Sequence, residues 1–190
     1  MPLRAQYVAD VGIGPNTYPL NSDQRVAEIY QTARRGRIAP PLAMQIYHLL
    51  APIRQQALQG RLPATQPAYD QFVVKTGLAI QAVLQAAGRG GFGIGQKIVN
   101  IFMKDLWSLG TIRLPVETVL HAPLDRIVLA KIKNLPATWA AWTRVVAAAP
   151  NAPAVKDYLA IQQQIRAFHA ACPIPFPSVI QMEQFIWHRI

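Results

Sequence analysis

The run GRGGFGIGQKIVN, residues 88–100, decides how the chain is read. Five glycines stand in its first eight residues, Lys97 follows closely behind, and helical patterns flank it on both sides. Such a run can cradle a phosphate, cap one helix before the next begins, or hold Lys97 where an amine can react. Its first six letters match GxGxxG, the dinucleotide fingerprint. That fingerprint works after a strand, in a strand-helix-strand unit, with an acid about 20 positions on. Here a helical pattern precedes it and no parallel sheet is in prospect, so no nucleotide cofactor is expected. Lys97 is followed by Ile98, which also breaks the triphosphate-loop pattern GxxxxGK[ST].

A second parsing takes FGIGQK, residues 92–97, as a tight turn between two helices. Gly93 and Gly95 would let the backbone approach a ligand and present amides at the start of the helix that follows, where a nucleic-acid phosphate can be held without reading sequence.

The flanking segments are helical in period. Val26, Ile29 and Tyr30 follow an Asn21/Gln24 capping pattern, and the arginines of residues 34–37 close that helix as a basic turn or a phosphate contact. Pro40 and Pro41 open a helix with Leu42, Ile46, Leu50 and Ile53 on one face, in which Pro52 predicts a kink. From Pro67, the residues Tyr69, Phe72, Val73, Ile80 and Leu84 mark another, stopped by Gly88. Ile98, Ile101, Phe102, Leu106 and Leu109 form the next stripe, ended by Gly110. Residues 111–122 form a connection with a short strand or helical turn.

Pro123, Pro136 and Pro153 each suit the first turn of a helix, and Ser178 with Gln181 forms a capping-box pattern before Met182 and Phe185. The expectation is an all-α compact bundle of about eight helices, residues 1–190 as one domain, with residues 1–20 an irregular N-terminal arm.

Composition narrows the function classes. There are 19 Lys and Arg against 9 Asp and Glu, a net charge of +10. That balance favours a polyanion, because cations that neutralise phosphates release condensed counterions. Residues 71–104 hold Lys75, Arg89, Lys97 and Lys104 and no acid. One cysteine, Cys172, allows no internal disulfide and no cysteine metal cluster, and the four histidines lack ligand spacing, so no metal and no cofactor is expected. The first residues lack an apolar core of signal-peptide length, and no stretch reaches the ~20 apolar residues of a membrane span. A cytoplasmic protein is expected.

The turn Gly93, Ile94, Gly95, Gln96, Lys97, the helix after it, and the stretch His121, Ala122, Pro123, Leu124, Asp125, Arg126 together resemble the helix-hairpin-helix DNA glycosylase superfamily. The resemblance covers residues 77–135. It implies double-stranded DNA as the partner, excision of an oxidised purine such as 8-oxoguanine, and AP-lyase activity. It assigns Lys97 as Schiff-base nucleophile and Asp125 as the essential carboxylate, with Gly93, Gly95 and Gln96 on the DNA backbone. The interval of 28 residues between Lys97 and Asp125 is closer to the archaeal branch than to the common 8-oxoguanine enzymes. Phe92 stands where a proline is usual, the loop of residues 110–122 is long, and the chain is short for the superfamily.

The chemistry suits these residue types. Breaking an N-glycosidic bond builds positive charge on the sugar, which a carboxylate stabilises, and a lysine whose pKa is lowered can take C1′ and permit elimination. The acid-free zone favours that lowering for Lys97. Lys104 is its rival, but Asp105 beside it opposes a lowered pKa. If Pro123 is the first helical residue, Asp125 lies in the first turn, where an acid serves equally as an ordinary cap. Phe92, His121 and Trp107 are candidates for a base pocket or its support, and aromatics at helical spacing also serve as core. A non-catalytic DNA-binding protein or DNA-directed defence component shares the same hairpin, and a protein-interaction domain shares the basicity.

Overall fold

The computed structural model describes residues 3–12, 22–34, 36–131 and 137–188. Among them there is no strand. Seven helices of nine or more residues are present: α1 (Leu3–Val11), α2 (Ser22–Arg34), α3 (Pro40–Leu58), α4 (Gln66–Ala86), α5 (Phe92–Ser108), α8 (Pro153–Ala170) and α9 (Val179–His188). Two single-turn helices, α6 (Arg126–Leu129) and α7 (Ala137–Ala140), and 3₁₀ turns at Val116–Val119 and Trp142–Arg144 complete the path.

The all-α bundle is organised around α5, of which every residue from Phe92 to Ser108 is buried. A helix covered all round needs neighbours on all sides, and α1, α2, α3, α4 and the Trp142–Arg144 turn supply them. The apolar stripes read from the sequence face this core: Val26, Ile29, Tyr30, Ile46, Leu50, Tyr69, Val73, Ile80 and Leu84 are buried. Prolines open α3, α4 and α8, where the missing amide hydrogen has no helical partner to lose.

The glycine run departs from the expectation. Residues 92–97 are the first turns of α5, which begins at Phe92 behind an extended Gly91, and not a turn ahead of a helix starting at Ile98. Close packing requires the glycines there. A Cβ at Gly93 would fall 1.7 Å from the Trp142 carbonyl oxygen, and one at Gly95 would fall 2.4 Å from that of Gly77 on α4.

Residues 3–11 form a helix, so the irregular arm is corrected there; residues 13–20 lie outside the described residues, as do Asn21, Arg35, Ile132 and Pro136. The connection of residues 111–122 takes the helical-turn alternative, at Val116–Val119. Pro123 does not start a helix: α6 begins at Arg126, and Asp125 is its N-cap. Ser178 and Gln181 do not close a capping box on each other. Their side chains both donate to Glu117 Oε1, at 3.1 and 2.7 Å, and thereby fix the start of α9 to the Val116–Val119 turn.

Candidate active site

Between α1, α2, α5, α9 and the segment before α6 lies a cleft of about 480 Å³. Its walls carry Lys97 and Lys104 of α5, Asp125, Glu183 of α9, Arg25 of α2 and Tyr7 of α1. Lys97 and Lys104 are seven residues apart, two turns of helix, and so project from the same side of α5.

Lys97 and Asp125 meet here. Lys97 Nζ donates to Asp125 Oδ2 at 3.2 Å, with only 4% and 6% of the two side chains exposed. The Asp125 carboxylate also caps α6, its Oδ1 accepting from the amides of Ile127 and Val128 at 2.9 and 3.0 Å. The Lys97 ammonium lies 5.0 Å from the Trp142 ring centroid, in cation–π range. Burial moves the Lys97 pKa below the usual lysine value, against the opposing attraction of Asp125 and Glu183. The acid-free zone is therefore acid-free along the chain only; desolvation is the cause of the lowering.

Two further buried pairs share the cleft region. Lys104 Nζ donates to Glu183 Oε2, and Tyr7 covers the ammonium with its ring at 4.7 Å. Arg25 Nε and Nη2 donate to Oδ2 and Oδ1 of Asp105 at 2.9 and 3.0 Å, and the Tyr7 hydroxyl donates to Asp105 Oδ1 at 2.7 Å. Burial raises the pKa of both Asp105 and Glu183, with Arg25 and Lys104 respectively pulling each back. Asp105 is turned toward Arg25, and the carboxylate opposite Lys104 is Glu183.

Gly93, Gly95 and Gln96 face the protein interior. The Gly93 amide donates to Val145 O at 3.1 Å and the Gly95 amide to Gly91 O at 3.0 Å, so both are occupied inside the protein. The Gln96 side chain is fully buried: Nε2 donates to Gly93 O and Leu124 O, and Oε1 accepts from Asn100 Nδ2. Gln96 thus ties α5 to the residue before Asp125 and positions that carboxylate from behind.

Phe92, His121 and Trp107 are buried outside the cleft lining. Phe92 packs edge-on against Trp139 and Tyr158. Trp107 carries the Arg4 guanidinium 5.1 Å above its ring. His121 bridges α4 and α8: Nε2 lies 2.7 Å from Asp70 Oδ1 and Nδ1 2.8 Å from the Tyr158 hydroxyl, which accepts from Asn100 Nδ2 at 2.9 Å. Burial lowers the His121 pKa despite Asp70. A neutral ring with its proton on Nε2 donates to Asp70 and lets Nδ1 accept from Tyr158. His121 supports the Asp125 segment and does not touch the cleft.

Sequence reasoning missed Tyr7, Arg25 and Glu183. Tyr7 sits in a stretch without helical periodicity, and Arg25 reads as one more cation of a basic protein. Glu183 did carry a cue, the only acid of α9, VIQMEQFIWH.

No group of three His, Cys, Asp or Glu side chains among the described residues is placed to hold a metal, and no described helix is long and apolar enough to cross a membrane. No protein-family model, curated protein or solved structure matches the chain.

Proposed function

We propose that the protein is a DNA glycosylase with AP-lyase activity that excises an oxidised purine, 8-oxoguanine or one like it, with Lys97 as nucleophile and Asp125 as stabilising carboxylate. The observation that carries the reading is the contact of Lys97 Nζ with Asp125 Oδ2 at 3.2 Å in the wall of a cleft of about 480 Å³. That volume falls in the range of ~300–1,000 Å³ that accommodates a small organic group, here a flipped nucleotide.

The two side chains divide the chemistry. As the bond between C1′ and the base breaks, its electron pair leaves with the base and the sugar becomes cationic. Asp125, fixed by two amides, faces that charge without having to reorganise. Lys97, which burial inclines toward the neutral amine, adds to C1′, and ring opening gives the imine from which the strand is cut. The α4–turn–α5 pair serves in this reading as a helix-hairpin-helix element. Its phosphate contact falls on the turn of residues 87–91, where Arg89 is exposed, and not on Gly93 and Gly95.

Borohydride treatment of the protein with duplex DNA containing 8-oxoguanine should give a covalent adduct that Lys97→Gln abolishes, with a thermal melt showing that the variant is folded. An adduct of unchanged yield in the folded variant removes Lys97 from the mechanism. A second reading, a non-catalytic DNA-binding protein, is favoured by the near-complete burial of Lys97 and Asp125 against each other. It requires salt-dependent DNA binding with no base release and no adduct.

A further inference from the structure

Lys104 and Glu183 form a second buried pair on the cleft that holds Lys97 and Asp125, and the mechanism above gives them no work. A lysine and a glutamate so enclosed cost more in desolvation than a surface pair of the same charges. In a cleft where protons must move, a second carboxylate has a use.

Asp125 is already engaged on both carboxylate oxygens. Its Oδ1 accepts from the two backbone amides that begin α6, and its Oδ2 accepts from Lys97. Asp10, the other carboxylate on the cleft, is exposed. Glu183 is buried, projects from α9, and stands on the wall shared with a second cavity of about 550 Å³ between α6, α8 and α9. Glu183 thus lines two spaces, and its carboxylate is held by Lys104.

We propose that Glu183 is the base of the strand-cutting step, accepting the C2′ proton of the lysine-bound sugar, with Lys104 holding the carboxylate in place. The proposal rests on the glycosylase reading. In the step, the carboxylate oxygen forms an O–H bond as C2′–H breaks. The C–H electron pair becomes the C2′=C3′ double bond, the C3′–O bond breaks, and its pair leaves with the phosphate. No oxidant or further reactant is consumed. Lys104 and Lys97 of α5, Asp125, Tyr7 and Asp10 of α1 and Arg25 of α2 are the charged or titratable groups around Glu183 on the cleft side, and Lys131 lines the second cavity with it.

A duplex carrying one preformed abasic site tests this without knowledge of the lesion. Borohydride trapping reports the imine and gel mobility reports the nick. Glu183→Gln should lower the nicking rate at least tenfold more than it lowers trapping, and Glu183→Asp should recover part of the difference. In wild type the ratio of nicking to trapping should fall with decreasing pH through a value above the ordinary glutamate range, and Glu183→Gln should lose that dependence. If Glu183→Gln does not fold, Lys104→Gln with Glu183→Gln removes both buried charges and is read the same way. Nicking and trapping that fall together, or a ratio unchanged in the folded variant, overturns the assignment and leaves Lys97 in place. A wild-type protein that traps no DNA overturns both readings.

Discussion

Replacing Gly93 by alanine would drive a methyl group onto the carbonyl of Trp142, and backbone cannot swing aside as the end of a long side chain can. Helix propensity alone favours alanine by ~1 kcal/mol, whereas overpacking of this kind costs about 3 kcal/mol or more. The sign is therefore a test of what the residue does. We expect Gly93→Ala to lower the urea midpoint sharply; a variant of normal stability with weakened DNA binding would restore Gly93 to the DNA backbone. The contact that demands glycine at residue 93 is hidden from the local sequence. Two glycines in three residues lower helix propensity, and no local signal announces that a carbonyl from 49 residues downstream will lie against one of them.

Between elements, the cross-links are side chains that the stripe pattern does not report. The starts of α3, α4 and α8 were legible because proline fixes its own backbone angle. The core faces were legible because apolar residues recur with the helical period. The pairing of Lys97 with Asp125 was legible only through resemblance, since 28 residues of chain separate them. Tyr7 leaves no local trace of its contact with α5, and Glu183, marked only as the single acid of α9, gives no sign of its partner on α5. The His121 bridge has a measurable consequence. Its folded pKa lies below the ordinary value, so above about pH 6.5 the ring is neutral folded or unfolded and costs nothing. As pH falls below that, the unfolded chain takes up a proton that the native chain resists, and stability declines by up to about 1.4 kcal/mol per pH unit until the folded value is passed. The His121 contribution to the urea midpoint should thus fall from pH 7 to pH 5, read as the wild-type slope minus that of His121→Gln. Asp70, held below the ordinary carboxylate value against burial by hydrogen bonds from His121 and Gln66, acts in a separate window, its contribution lost only at more acid pH.

For the whole molecule, the three cleft cations Arg25, Lys97 and Lys104 are matched by Asp105, Asp125 and Glu183, so the net charge of +10 is carried by the remainder of the chain. The cleft is nearly neutral while the protein around it is strongly basic. In the proposed reading, attraction to a polyanion and chemistry in the cleft are therefore separable. We expect affinity for a 20-base-pair duplex to drop at least tenfold from 50 to 200 mM salt, with Lys97→Gln shifting the whole curve little and leaving its slope unchanged. No binding at low salt would favour a protein-interaction domain whose basicity is incidental. The interior position of α5 has a consequence for descent. Losing one member of a buried ion pair strands the other in a dry interior, at a cost of about 3–5 kcal/mol, comparable to the whole stability of many domains. Whether or not the proposed chemistry operates, substitution is expected to retain Lys97 and Asp125 together, or to exchange both at once for apolar residues. Survival of the lysine is thus no mark of chemistry by itself, and paired replacement is the change this architecture tolerates.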